Sequence, residues 1–568
     1  MKTLAQVSDQ IAATTKKLEK TALVATYFKT HPVPQSAVAA VFLSGGPFPM
    51  WEETTLQVGG TLLWRLIQEL SGKTEEELTS AYRRLGDLGA VAGELLPPRS
   101  SKPDTDVMEV QALFRQIASA RGPTAKGALL WDLLSQVSPV EAKYIIKIMT
   151  GDLRIGLKES LVEEAIAKAY ARPVKDVQRA NMLLGDIGET LRLAAAGTLS
   201  QARMRLFHPL GFMLASPAAT PDEALSYFQN ALVEDKYDGI RAQAHCSGGE
   251  VRIFSRTRDD ITESFPEMPD ALAGLPEDVI LDGEIVAWSY LAGEGTEGGR
   301  ALPFSALQQR LGRKKVSDEL MRRVPVAYIV FDILYRKDEL LIDRPLQERG
   351  HLLEAVMAAE RALVKSRSVS AQGVLVLETE TPPSTAQVIR APVFRAASAE
   401  ELDALFNAAQ ARGNEGLMIK DPQSPYTPGR RGKSWLKLKR ELASLDVVVT
   451  AAEYGHGKRI KVLSDYTFAV WDGEKLVNIG KAYSGLTDAE ISEMTKWFLE
   501  HTLEDQGFRL MVEPKIVLEV AFNNMMRSDR HNSGYALRFP RIVRLRPDKL
   551  PGDADTLDRV REIFAKQK

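Results

Sequence analysis

Between residues 234 and 241 the chain reads Glu234-Asp-Lys236-Tyr-Asp238-Gly239-Ile-Arg241, a lysine set among carboxylates and an arginine. A lysine amine is a nucleophile only when neutral. Its reference pKa of about 10.4 leaves roughly one amine in a thousand free near neutral pH, a deficit of about 4 kcal/mol. Neighbouring positive charge and burial both favour the neutral form. Downstream, in order, come Ser255-Arg256, Asp282-Gly283-Glu284, Phe331-Asp332, Glu415-Gly416, Lys437-Leu-Lys439, Arg538-Phe-Pro-Arg541 and Arg546-Pro-Asp548-Lys549. Carboxylates accept from hydroxyls or hold a hard divalent cation, and an aromatic ring offers a flat stacking face. Two plainer readings stand beside these. Asp-Gly is a common hairpin signal, so the lysine segment could be a solvated turn, and any single charge could belong to a structural ion pair.

Other chemistries fall away. Gly432-Lys433-Ser434 looks like the end of a phosphate-binding loop, but that motif requires glycine at the position held by Thr427, and the following WLKLK alternates like a strand. One cysteine, Cys246, excludes a disulfide framework and a cysteine-rich zinc cluster, and the seven histidines are scattered without close pairing. Lys plus Arg number 73 against 75 Asp plus Glu, a net charge of −2 that by itself does not suggest a nucleic-acid partner. No targeting leader or membrane-length apolar run is present, so a cytoplasmic protein is expected.

The elements that must position these residues fall into three blocks across 568 residues. Residues 1–205 read as helical, broken at His31-Pro32-Val33-Pro34 and Leu96-Pro97-Pro98. Ser160-Leu-Val-Glu163 is taken as a capping box before a stripe of Leu161, Val162, Ala165, Ile166, Ala169 and Tyr170. Around 206–222 Pro209, Pro217 and Pro221 interrupt the chain. Strand-like runs follow at 279–288, 325–335 and 415–420. The glycine-rich stretch 291–300 carries no chemistry. After Arg440, short strands separated by turns, at 445–455, 464–473 and 515–522, suggest a small β-barrel.

The ordered series over 206–550 resembles the covalent nucleotidyltransferase superfamily, and specifically ATP-dependent DNA ligases. Residues 1–205 also resemble the helical DNA-binding domain that precedes the catalytic core in archaeal- and eukaryotic-type ligases, best from Glu141-Ala-Lys-Tyr144 through Gly151-Asp-Leu-Arg154-Ile-Gly-Leu-Lys158. The implied fold is multidomain: an all-α domain at 1–205, an α+β nucleotidyltransferase (ATP-grasp-like) domain at 206–441, and an OB-fold β-barrel at 442–568. The resemblance makes Lys236 the nucleophile that forms a phosphoramidate with AMP. It puts Glu234 at the adenine, Phe331 as the stacking face and Glu284 on the ribose hydroxyl. Arg241 and Arg256 fall at the sugar edge or the 5′-phosphate of a nick, and Lys437 and Lys439 at the α-phosphate. Arg538, Arg541 and Lys549 fall at the β- and γ-phosphates. Glu415, supported by Glu284 or Asp238, is expected to hold Mg²⁺ or Mn²⁺. A core strand residue is the plainer reading of Phe331, and a solvated basic face that of 538–549, where Asp548 is the one opposing charge in sequence.

ATP is the implied co-substrate and nicked double-stranded DNA the implied partner of a monomer, with the basic stretch 428–440 facing the DNA backbone. The helical domain would bind the duplex backbone, and a hinge near 441–446, around Asp446, would let the barrel cover ATP and later release it. An NAD-dependent ligase resembles a chain with a four-cysteine zinc site, which one cysteine does not build. RNA ligases and GTP-using capping enzymes share the core without a large helical domain ahead of it. A catalytically dead nucleic-acid-binding scaffold is the non-enzymatic alternative.

Overall fold

The computed structural model describes the chain except residues 53, 99–104, 229, 276, 291–298, 311–315, 371–385, 440–442, 456–458, 460–461 and 566–568, and the side chains of 359–370. The glycine-rich stretch up to 298, the last residue of the basic stretch and the start of the expected hinge therefore lie outside the described residues. Two compact units are present: residues 1–73 with 88–439, and 74–87 with 440–568. The expected division at 205/206 falls inside the first.

Residues 1–196 of the described chain are helices and connections. Proline sets the breaks as the sequence suggests: one helix stops at Thr30 and the next starts at Val33, and another stops at Leu95 before Pro97-Pro98. The capping box at Ser160 is not formed. The helix Glu159–Ala169 starts two residues earlier than a Ser160 cap would allow, with Lys158 as N-cap and no side-chain cap. Glu163 instead accepts from the Asn181 amide at 2.8 Å. Its stripe does reach the core through Leu161, Val162, Ala165 and Ile166, whereas Ala169 and Tyr170 are only half-buried. True capping boxes occur in the first unit at Asp106/Glu109 and Ser138/Glu141.

Two sheets follow. The strands used below are β1 (Leu232–Lys236), β2 (Ile240–Ser247), β3 (Val279–Ser289), β4 (Val326–Arg336), β5 (Gln387–Arg390), β6 (Gly416–Lys420) and β7 (Arg431–Leu438). A five-stranded sheet orders Leu214–Ala218, β7, β6, β1 and Val393–Arg395. Pro217 sits on its edge strand, where a missing N–H is tolerated. A seven-stranded sheet runs from Glu250–Ser255 through β2, β3 and β4, with β5 parallel to β4. β1 and β2 thus lie in different sheets, so Asp238-Gly239 is a crossing between sheets and not the hairpin turn that was the plainer reading. Glycine is required there, because a Cβ at 239 would stand 2.3 Å from the Ile285 carbonyl oxygen.

Toward the other end of β2, His245 ties the strand to the chain at Phe207. Its Nδ1 accepts from the Phe207 N–H at 3.0 Å, and its Nε2 stands 2.8 Å from Gln243 Oε1, so the neutral ring fits with its proton on Nε2. Burial pushes its pKa down from 6.5 to about 3, with His208 adding to the shift. A folded value below the unfolded one means that the stability held by neutral His245 is present above about pH 6.5 and drains away as pH falls toward 3. Between pH 7 and 5 the loss is about 2 kcal/mol. Thermal midpoints measured at the two pH values should therefore converge in His245→Gln relative to the wild type.

In the second unit, β8 (Ala443–Tyr454) is the long strand on which a half-barrel curls. One side pairs with Leu463–Asp472. The other pairs first with β9 (Val517–Phe522) and then with Arg509–Val512. Register shifts after Val449 and Glu453 bend the strand between these partners. β9 in turn pairs with β10 (Arg541–Leu545). A helix, Asp488–Glu500, capped by the Thr487/Glu490 box, presents Ile491, Met494 and Phe498 to the barrel core.

Candidate active site

Strict alternation sorts β1 into two jobs. Val233 points into the cluster under the helix Ala399–Ala411, with Leu402, Phe406, Leu417, Ile419, Leu436 and Leu438. Asp235, on the same side, takes both arms of Arg412 at 2.8 Å and the Asn414 amide at 2.8 Å. Glu234 and Lys236 therefore face the other way. On that opposite face β6 supplies Met418 and Lys420, and β7 supplies Trp435 and Lys437, with Lys439 one residue past its end.

Register brings the chemistry together. Gly416 pairs with Lys236, and the Glu415 N–H donates to the Lys236 carbonyl at 2.8 Å. Gly416 has φ 147, and a Cβ there would meet the Leu438 carbonyl oxygen at 2.3 Å, which is why glycine follows Glu415. The Lys236 ammonium lies 2.5 Å from Glu415 Oε2, and Lys439 pairs with the same oxygen. Burial alone would raise the Glu415 carboxyl. The ammonium groups of Lys236 and Lys439 outweigh it and hold the pKa at about 2.

Lys437 and Lys439 are both shifted down, first by burial and then by positive neighbours: Arg431, Lys236 and Arg256 for Lys437, and Lys236 for Lys439. Glu284 on β3 is pushed up to about 7 by burial, against the opposing pull of Lys236 and Arg241. Asp282 and Glu415 reinforce the rise, which makes Glu284 and Glu415 electrostatic neighbours. No cluster of three or more metal-type ligands exists among the described residues. Two carboxylates beside a phosphate-sized nest of amines nonetheless fit a divalent cation that takes its other oxygens from nucleotide and water.

The other expected site residues are distributed unevenly. Glu234 is buried against Lys420, and Phe331 is half-buried with Lys420 Nζ 4.4 Å from its ring centroid. Arg256 is exposed in the turn after Ser255. Arg241 departs from expectation. Its guanidinium makes a fork with Asp282 at 3.1 and 2.7 Å, donates to the Met213 carbonyl, and lies over the rings of Phe212, Phe331 and Trp435. The structural ion pair, its plainer reading, is what the geometry gives it.

Arg538, Arg541 and Lys549 belong to the second unit. The basic cluster there is opposed by more than Asp548: Arg544 pairs with Glu519 at 2.8 Å, and Asp446 holds Arg546 at 2.9 Å and Lys549 at 2.6 Å. Those acids arrive from β8 and β9, far away in sequence. Gly432-Lys433-Ser434 lies within β7, as the rejection of a phosphate-binding loop requires.

The family models for the DNA ligase N terminus, the ATP-dependent DNA ligase domain and the ATP-dependent DNA ligase C-terminal region match residues 1–167, 212–439 and 459–549. A probable DNA ligase of Koribacter versatilis is 58% identical over 100% of this chain and 97% of its own length. The chain belongs to the ATP-dependent DNA ligase family. Among other relatives of this ligase family, a DNA ligase of Methanopyrus kandleri is 35% identical over 99% of this chain and 98% of its own. The solved structure of Pmar-Lig_PreS3 shares the fold at TM-score 0.59 and 15% identity, covering 96% of this chain and 99% of that one.

Reading the sequence missed several charged residues that build the site of this ligase. Arg349, absent from the sequence reading, makes a fully buried fork with Asp332, both contacts at 2.8 Å. Lys420, seen only as the end of a strand, is almost completely buried, and Arg390 on β5 lies 3.8 Å from Glu234. One signal was available: a lysine closing the apolar run Gly416-Leu-Met-Ile-Lys420 needs a partner if the strand is buried.

Proposed function

We propose that the chain seals nicks in duplex DNA by three phosphoryl transfers. Neutral Lys236 Nζ attacks the α-phosphorus of ATP. An N–P bond forms, the Pα–O bond to the β-phosphate breaks, pyrophosphate leaves, and the amine proton passes to solvent. A 5′-phosphate oxygen at the nick then takes AMP from the lysine, giving a 5′-adenylated strand. The 3′-hydroxyl attacks that phosphate, closes a 3′–5′ phosphodiester bond and expels AMP.

Lys437 and Lys439 sit to receive α-phosphate oxygens, Phe331 and Glu234 to hold the base, and Glu284 to accept from the ribose hydroxyl. Glu415 and Glu284 would hold Mg²⁺ or Mn²⁺, which when bound neutralises phosphate oxygen charge. Arg256 is assigned to the nick phosphate, and Arg538, Arg541 and Lys549 to the β- and γ-phosphates. The exposed Arg430, Arg431 and Lys433 suit the DNA backbone. We assign the chain three functional parts, 1–205, 206–441 and 442–568, working as a cytoplasmic monomer. No helix among the described residues is long and apolar enough to cross a membrane.

The observation that carries this reading is the convergence of Lys236 and Lys439 on Glu415, with Lys437 on the same face of β7. Incubation with [α-³²P]ATP and magnesium should give a covalent label that survives denaturation and alkali and is released by acidic hydroxylamine. Peptide mass spectrometry should place it on Lys236. Equal labelling from NAD, or a label elsewhere, would refute the assignment.

A further inference from the structure

Lys420 is the most deeply buried cation on the site face. Its side chain is 1% exposed and that of Glu234 5%, with Nζ 2.5 Å from Glu234 Oε2. The same ammonium stands 4.4 Å from the Phe331 ring centroid and 4.3 Å from that of Trp435. Burial lowers its pKa, with Glu234 and Asp332 opposing the shift. A buried pair of this kind is a poor device for stability alone, since apolar side chains of similar volume commonly do as well.

What the pair does achieve is orientation. Lys420 draws one carboxylate oxygen of Glu234 onto itself and leaves the other 3.8 Å from Arg390 Nη1, beyond hydrogen-bond reach. Arg390 spends that nitrogen on the carbonyls of Val330 and Ala391, at 3.4 and 3.0 Å, next to Phe331. The ring and the acceptor side of β1 are therefore set by the same two cations.

Purines differ at the edge such a wall would read. Adenine carries an exocyclic amine donor where guanine carries an oxygen acceptor. An ammonium donates only and a carboxylate accepts only, so Lys420 takes one Glu234 oxygen, Oε2, and leaves Oε1 as the acceptor of the pair. We infer that Lys420 is a specificity-determining positioning residue for the nucleotide: anchored on Glu234 Oε2 and seated against Phe331, it holds Glu234 Oε1 as an acceptor that prefers a purine with an exocyclic amine over one with an exocyclic oxygen. This rests on the adenylation reading above.

The test uses the full chain and measures initial rates of covalent labelling from [α-³²P]ATP and [α-³²P]GTP. The wild type should label from ATP in strong preference to GTP. Lys420→Met should raise KM for ATP more than it lowers kcat and narrow the ATP-to-GTP ratio of kcat/KM about tenfold, the worth of one well-placed hydrogen bond. Lys420→Arg, which keeps the cation, should stay near the wild-type ratio. An unchanged ratio in Lys420→Met overturns the inference, as does a Lys420→Arg enzyme as relaxed as Lys420→Met. Should Lys420→Met fail to fold, Lys420→Gln, which removes the cation and leaves Glu234 in place, is measured in its stead, and the same ratio decides: narrowed supports, unchanged overturns. No ATP labelling by the wild type would instead sink the adenylation reading itself, which separates the two failures.

Discussion

Lys236→Arg is expected to lose covalent labelling from ATP by about 10⁴-fold or more while keeping the fold. The substitution preserves the charge that Glu415 sees at 2.5 Å, so the ion pair and the strand register survive. A guanidinium stays protonated at any working pH and has no free lone pair to attack phosphorus. Nick sealing driven by ATP should fall with the label. A nicked duplex already carrying 5′-AMP bypasses the lysine nucleophile, so the variant should still join it. Loss of both reactions together, with an unchanged melting profile, would mean that Lys236 is needed beyond the first transfer and that the three-step assignment is incomplete.

Arg349→Met should destabilise the first unit by about 3–5 kcal/mol, because it strands the Asp332 carboxylate with no solvent to take its charge. Both side chains of this fork are 0% exposed, and the two contacts are 2.8 Å. The double change Asp332→Leu/Arg349→Met should regain most of the loss, since the cost lies in an orphaned charge and not in the missing attraction. Asp332 follows Phe331 on β4, so the single variant should also weaken ATP binding. Denaturant titration of the two single variants and the double gives the coupling directly, and additive losses would show that the pair is not a unit.

How much of this could be seen without coordinates depends on the range of each interaction. Lys236, Glu415, Lys437 and Lys439 lie in short segments whose residue types and order already suggest phosphoryl chemistry. The three-block texture of helices, mixed strands and barrel strands was likewise legible, because helix and strand periodicity are local. The counter-charges were not. Asp446 and Glu519 reach Arg546, Lys549 and Arg544 only through the register of β8, β9 and β10, so a run that looks nearly unopposed in sequence is largely neutralised in space. The fork of Arg241 was hidden for a related reason. An arginine next to a nucleophile motif suggests phosphate binding, and nothing in the sequence shows that Asp282, two residues along β3 from its register partner Glu284, takes its Nε and one Nη. The Ser160 box failed because Ser-x-x-Glu recurs by chance, and the helix had already begun at Glu159.

The backbone bond from Glu415 to the Lys236 carbonyl fixes nucleophile and counter-ion by strand pairing, not by loop contact. Side-chain exchange near either residue leaves that pairing in place. An inserted or deleted codon between 417 and 420 would not: a one-residue slip turns each following side chain to the other face of the sheet. Lys420 would then point under the helix Ala399–Ala411 and Ile419 into the nucleotide face. In-frame single-residue indels in β6 should thus be as damaging as loss of the nucleophile, and conservative substitutions at the same positions far milder.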